Sequence, residues 1–278
     1  MPRTPTGAPE PGPATIQKAD FIEGMAKGMA VLESFDTERQ RLNATQAAER
    51  AGLTRAAARR HLLTLAHLGY LESDGHAFWL SAKVLRFSGS YLASARLPRM
   101  VQATLNRLAA QTLSSYSVVV RDEAEVVIVA RSATYSGAER ILAYGLHLGA
   151  RLPAHATSTG RVLLAALDSR ALLAWLRVRD ADGRSAPREL ARLTPLTVTD
   201  HKAFKARIAQ VRADDYCLAS EEHELGVHAL AVPLRNMQGQ TLAALNLVAS
   251  PRTHTPEQLL REQLPVMQDA ARELRALL

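Results

Sequence analysis

"LTRAAARRHLLTLAHLGYLESDGHAFWLS" occupies residues 53–81 and decides the reading of the chain. Thr54 is a good helix N-cap, and stepping 100° per residue from it places Ala58, His61, Leu62, Leu65 and Leu68 on one face, the expected core side. Ala56, Arg59, Arg60 and Leu63 take the opposite face, with Arg55 at the edge of the first turn. The helix stops near Gly69. "YLESDGHAFWLS" then reads as two short strands around Asp74-Gly75, a strong hairpin signal. The outward face carries no acid. Small residues let a helix backbone approach a major groove, and long arginines reach guanine edges or phosphates.

Two further helices precede this unit. "FIEGMAKGMAVLESF" spaces Ile22, Met25, Met29, Leu32 and Phe35 as a helix does, and "RLNATQAAERAGL" reads as a second short helix. Asn43 or Thr45 caps that helix and Gly52 stops it. Three helices closed by a ribbon predict a winged helix-turn-helix over residues 21–82 that binds double-stranded DNA. Thr45 and Thr54, at helix N-termini, are positioned to hold phosphates with hydroxyl and backbone N–H together. His76, in the ribbon, reaches an adjacent phosphate or minor groove.

Composition agrees without deciding the matter. The chain has 278 residues, which favours two domains, and it carries a net charge of +7. Residues 21–95 hold nine basic and seven acidic side chains, a net of only +2, so placement outweighs charge. No apolar run reaches the ~18–20 residues of a membrane span. Residues 1–20 are rich in Pro, Gly and Thr and lack an apolar signal-peptide core, so a disordered tail is expected. Cys217 is the single cysteine, which excludes a disulfide framework and a cysteine-based metal site. A cytoplasmic protein with no cofactor or metal is expected.

Residues 83–103 read as a helical linker in which Pro98 breaks or kinks the helix. From residue 104 to 278 strands and helices intermix around hairpins, an α+β pattern. "SYSVVVRDEAEVVIVARS" supplies two strands, "ILAYG" an extended piece and "STGRVLLAALDSRALLAWL" helix. "TDHKAFKARIAQVRADD" is helical, "YCLASEE" and "VHALAVPLRNMQGQTLAALNLVA" are strands, and Thr255-Pro256-Glu257 starts a last helix.

With these parts placed, the chain resembles the IclR-type transcriptional regulators, and within them the branch controlling the β-ketoadipate route. "GLTRAAARRHLLTLAHLGYLESDG", "LHLGARLPAHATSTGRVLLAAL" and "VHALAVPLRNMQGQTLAALNLVAS" carry the likeness. The resemblance implies a GAF-like effector-binding domain without catalysis, a homodimer or homotetramer, and activation of aromatic-acid catabolism genes, with RNA polymerase as a further candidate partner. It places effector contacts at Ser158, Thr159, Ala229, Asn246 and Val248. Other branches carry Cys or Ser where Ala229 stands, and a serine pair at Asn246 and Val248. The aromatic-acid branch is expected to carry Arg or a similar residue near His228, where this chain has histidine.

A small aromatic or dicarboxylic acid needs an anion receptor, an apolar slot and a partner for ring hydroxyls. Thr157 or Ser158 caps a helix whose N-terminus favours an anion, and Thr159 adds a hydroxyl. Ile141, Tyr144 and Leu146 are candidates for the slot. Asn246 is a lone amide on an apolar strand and needs a partner. Arg131, His155 and Glu221 are further polar candidates. A hydrolase is the rival class, but the chain has no Gly-x-Ser-x-Gly, Ser-x-x-Lys or His-Glu-x-x-His. A DNA-binding protein whose second domain only oligomerises, and a sensor of another small acid, stay open as alternatives.

Overall fold

Asn43 accepts the backbone N–H groups of Thr45 and Gln46, and the Gln46 side chain accepts from the Asn43 N–H in return. This capping box starts α2 (Ala44–Ala51) at the position the sequence marks. Thr54 likewise accepts from Ala57 and starts α3 (Arg55–His67). The computed structural model describes residues 16–36, 39–132, 147–179 and 184–278, and the chain divides into two compact units between Ser90 and Tyr91.

In the first unit, α1 (Glu23–Glu33), α2 and α3 enclose Val31, Phe35, Leu42, Ala47, Ala58 and Leu62. The ribbon β1 (Leu71–Ser73) and β2 (Phe78–Leu80) adds Leu71 and Phe78 to that core. Asp74 closes the four-residue turn between them. Its carboxylate accepts from the N–H groups of Ala77 and His76, and these bonds hold it below the usual carboxylate range.

Two expected core faces are narrower than the periodicity suggests. Leu68 is 49% exposed, because α3 ends at His67 and the left-handed Gly69 (φ 79°) turns the chain away. Ile22, Met25 and Met29 point outward, so the apolar stripe of α1 is only partly used within this unit. After α4 (Leu85–Ser94) the helix breaks at Ala95, and α5 (Arg96–Thr112) carries Pro98 in its first turn, where a missing N–H costs nothing.

The second unit is built on a six-stranded antiparallel sheet. Its strands are β3 (Ser115–Asp122), β4 (Glu125–Arg131), β5 (Arg151–Pro153), β8 (Cys217–Ser220), β9 (His228–Arg235) and β10 (Thr241–Ala249), in the order β5-β4-β3-β10-β9-β8. A separate two-stranded ribbon pairs β6 (Arg177–Arg179) with β7 (Ser185–Pro187). The alternation "HALAVPLR" in β9 sorts the faces: Leu230, Val232 and Leu234 pack under α5 and the C-terminal helix, while Ala231 faces the other side. That second side is covered by α6 (Ser158–Ala165), α7 (Ser169–Trp175) and α8 (His201–Asp214). The stretch read as one helix from "STGRV" to "LLAWL" is thus two, because Asp168 caps a new one.

The C-terminal helix begins at α9 (Pro256–Gln258), capped by Thr255, and widens into a π-turn over Leu259–Gln263 before α10 (Leu264–Leu274). Pro265 accounts for the π-turn, since it lacks the N–H an α-helical bond needs. The extended piece read at "ILAYG", and most of the tail read over residues 1–20, lie outside the described residues.

Candidate functional site

The first candidate surface is the outward face of α3. Arg55, Ala56, Arg59 and Arg60 are all exposed, while Ala58 and Leu62 behind them are fully buried. Other arginines of this unit have structural work. Arg50 donates to the Ser34 carbonyl and pairs with Asp36, and Arg41 lies 4.0 Å over the Trp79 ring and pairs with Asp74. Among the described residues, Arg55, Arg59 and Arg60 have no ion-pair or side-chain hydrogen-bond partner. Thr54 and Thr45 are exposed at their helix starts, but the Thr45 N–H is already taken by Asn43, which leaves its hydroxyl. His76 is exposed at the tip of the ribbon.

The second candidate is a cavity of about 110 Å³ at the N-terminus of α6. Strand register builds its floor. Ala219, Ala229 and Val248 are cross-strand neighbours on β8, β9 and β10, and Asn246 stands one pleat further along β10. Three small or β-branched residues in a row leave room that leucines would fill. Thr157, Ser158 and Thr159 form the wall above, and Thr157 is the cap, accepting from the Gly160 N–H at 3.2 Å.

Gly160 explains why α6 sits so low. A Cβ there would lie 2.1 Å from the Ala154 carbonyl oxygen, so only glycine permits this approach. Asn246 finds two partners. It accepts from Ser158 Oγ at 3.3 Å and donates to Ser117 Oγ at 3.4 Å, both long for hydrogen bonds. The trio is loosely paired and has capacity for a ligand.

Six of the residues expected at the effector site therefore meet in one cavity: Thr157, Ser158, Thr159, Ala229, Asn246 and Val248. Three are not on its wall. Arg131 lies beside Ser117, two strands from Asn246, and its carbonyl accepts from Gln102. The His155 ring is turned to the Ala191 carbonyl at 2.9 Å. Glu221, at φ 56°, accepts from the Gly226 N–H to close its own loop. Ile141, Tyr144 and Leu146 lie outside the described residues. In their place the cavity has Leu152, Ala156, Val227 and the loop side chains Glu222, His223 and Glu224.

Behind that wall is a buried ion pair that composition and spacing did not flag. Arg161, fully buried on α6, donates Nη1 to Glu222 Oε1 at 2.6 Å, Nη2 to Glu222 Oε2 and Nε to the His155 carbonyl at 2.9 Å. Thr197 and Thr194 hydroxyls donate to the carbonyls of Glu222 and Glu221. Burial nearby pushes the Cys217 thiol up to about 11, so it is an inert core group.

Burial also lowers His155 and His223 below the ordinary histidine value of 6.5. The folded chain then resists a proton that the unfolded chain accepts, so this stability is complete above pH 6.5 and is lost as pH falls toward the folded values. The urea midpoint should drop between pH 7.5 and 5.5, and a His155→Gln, His223→Gln variant should drop less. Equal slopes would assign the acid loss to other groups.

Comparison with known proteins matches both parts of the chain to one family. Residues 24–75 match the IclR helix-turn-helix domain, and residues 89–276 match the C-terminal domain of bacterial IclR transcriptional regulators. The Pca operon regulatory protein of Acinetobacter baylyi is 51% identical over 95% of this chain and 91% of its own length. The p-hydroxybenzoate hydroxylase transcriptional activator of the same organism is 51% identical over 94% of each. Among solved structures, the inducer-binding domain of an Acinetobacter PobR double mutant, in complex with 3-hydroxybenzoic acid, is 47% identical. It covers 65% of this chain and 98% of its own, with a TM-score of 0.58. The chain belongs to the IclR family of bacterial transcriptional regulators and, like them, is no enzyme.

Proposed function

We propose that this regulator switches on genes of aromatic-acid catabolism when a small hydroxylated aromatic acid occupies the cavity beneath α6. The carrying observation is the meeting of Ser158 and Asn246 at the start of α6 with an alanine- and valine-lined floor. That arrangement offers a carboxylate polar donors at a positive helix end and offers the ring an apolar slot. The two relatives at 51% identity carry names from the same branch of metabolism, which supports the reading.

On the DNA side, α3 enters the major groove with Arg55, Ala56, Arg59 and Arg60, while Thr45, Thr54 and His76 hold phosphates or an adjacent groove. Two copies of the chain act together. The outward Ile22, Met25 and Met29 of α1, with Phe21 and with Leu85 and Phe87 of α4, form apolar surface that pairing would cover. An effector shifts such an assembly only by its different affinity for two arrangements. RNA polymerase is the downstream partner of an activator of this kind.

A thermal-shift panel tests the effector assignment. Protocatechuate, 4-hydroxybenzoate, benzoate, cis,cis-muconate, β-ketoadipate and pyruvate are compared on the purified chain. A true effector at ~100 times its dissociation constant adds ~2.7 kcal/mol, a rise of several degrees at ~2–4 °C per kcal/mol. A flat panel would favour a second unit that only oligomerises. For the DNA face, Arg59→Ala and Arg60→Ala should each weaken operator binding by ~1–3 kcal/mol where the arginine reads a base. Footprint affinity unchanged in both variants would remove α3 from the groove.

A further inference from the structure

Within the effector cavity, the two polar ends are chemically different. One end is Ser158 with Asn246 on β10. The other is Glu222, just past the end of β8, with a side chain only 7% exposed on the cavity wall. β10 and β8 are separated by β9, so the two ends lie on opposite sides of that strand. Helix α6 touches both ends, with Ser158 hydrogen-bonded to Asn246 and Arg161 reaching Glu222. A small ring with a different substituent at each end matches that chemistry.

Glu222 is held in a fork. Its Oε1 accepts one bond, from Arg161 Nη1, while Oε2 accepts from Nη2 and from the Val198 N–H at 3.4 Å. Each carboxylate oxygen has about two lone-pair sites, so Oε1 retains one. Such a group accepts a proton donor and repels a second carboxylate. A ligand carboxylate is thereby directed to the Ser158 end, and a hydroxyl to the Glu222 end.

We propose that Glu222 is the residue that selects effectors bearing a proton-donating group opposite their carboxylate, and that Arg161 is its positioning residue. The proposal rests on the aromatic-acid reading above. The guanidinium does not line the cavity; it sets the direction in which Glu222 presents its free lone pair. His223 and Glu224, beside it, continue the wall.

The test is calorimetric titration of the full chain with 4-hydroxybenzoate and 4-aminobenzoate, which carry a donor, and with 4-fluorobenzoate and 4-methoxybenzoate, which do not. The donors should bind at least ~10-fold tighter in the wild type, as expected of a site built to pair a hydroxyl. In Glu222→Gln the ratio should shrink, and in Arg161→Met/Glu222→Leu, where both charges leave together, it should fall to within about 3-fold. In Arg161→Lys the charge stays but the fork is lost, and the ratio should fall while 4-fluorobenzoate affinity holds. A merely structural role for Arg161 would weaken all four compounds alike. Equal binding of donors and non-donors by the wild type, or a ratio that survives both Glu222 variants, would overturn the proposal. If none of the four binds, the aromatic-acid reading itself falls, and this assignment with it.

Discussion

Gly160→Ala is expected to destabilise the second unit by about 3 kcal/mol or more, the upper end of over-packing costs, and to abolish effector-induced stabilisation. The added Cβ would sit 2.1 Å from the Ala154 oxygen and 2.3 Å from the Ala154 Cα, contacts with backbone rather than with a pliable side chain. Ala154 has little freedom to retreat, because its N–H is bonded to the Ala124 carbonyl at 3.0 Å. The start of α6 must lift instead, taking Thr157, Ser158 and Thr159 away from Asn246. Gly24→Ala is the control. Nothing lies within 4 Å of a Cβ there, so alanine in an open helical position should stabilise the first unit by up to ~1 kcal/mol. Urea unfolding of both variants checks the pair, and a Gly160→Ala chain as stable as the wild type would place α6 elsewhere.

Arg161→Met is expected to cost ~3–5 kcal/mol, since it leaves the Glu222 carboxylate buried without its partner. The side chains are 0% and 7% exposed, so water cannot replace the guanidinium. Arg161→Met/Glu222→Leu should recover most of that loss, because removing both charges also removes both desolvation penalties. Urea titration of the second unit measures the difference. A single variant no weaker than the double would mean that the pair is hydrated in solution. Exposed pairs such as Arg235–Asp215 should contribute at most about 1 kcal/mol by the same measurement.

Much of the DNA-contacting unit was legible because its signals are local. Thr54, the arginine and alanine face of α3, and Asp74-Gly75 each act within a few residues, and the structure places them as the spacing predicts. The stripe of α1 misled in one respect. Periodicity identifies an apolar face but does not say whether the same chain covers it, and Met25 and Met29 are left outward.

The cavity beneath α6 divides along the same line. Sequence alone determined a capped helix start at Thr157 or Ser158 and an odd amide at Asn246. Tertiary structure decided which acids of "SEEHE" line the cavity: Glu222 and Glu224 do, and Glu221 does not. A backbone at φ 56° turns Glu221 to its own loop and leaves Glu222 inward, against an arginine 61 positions earlier. It also decided that Arg131 and His155 stay off the wall. Side-chain direction in a sheet reverses with every residue, so which polar groups meet is set by strand register and by loop turns closed over long separations, and neither is written in any short stretch of chain.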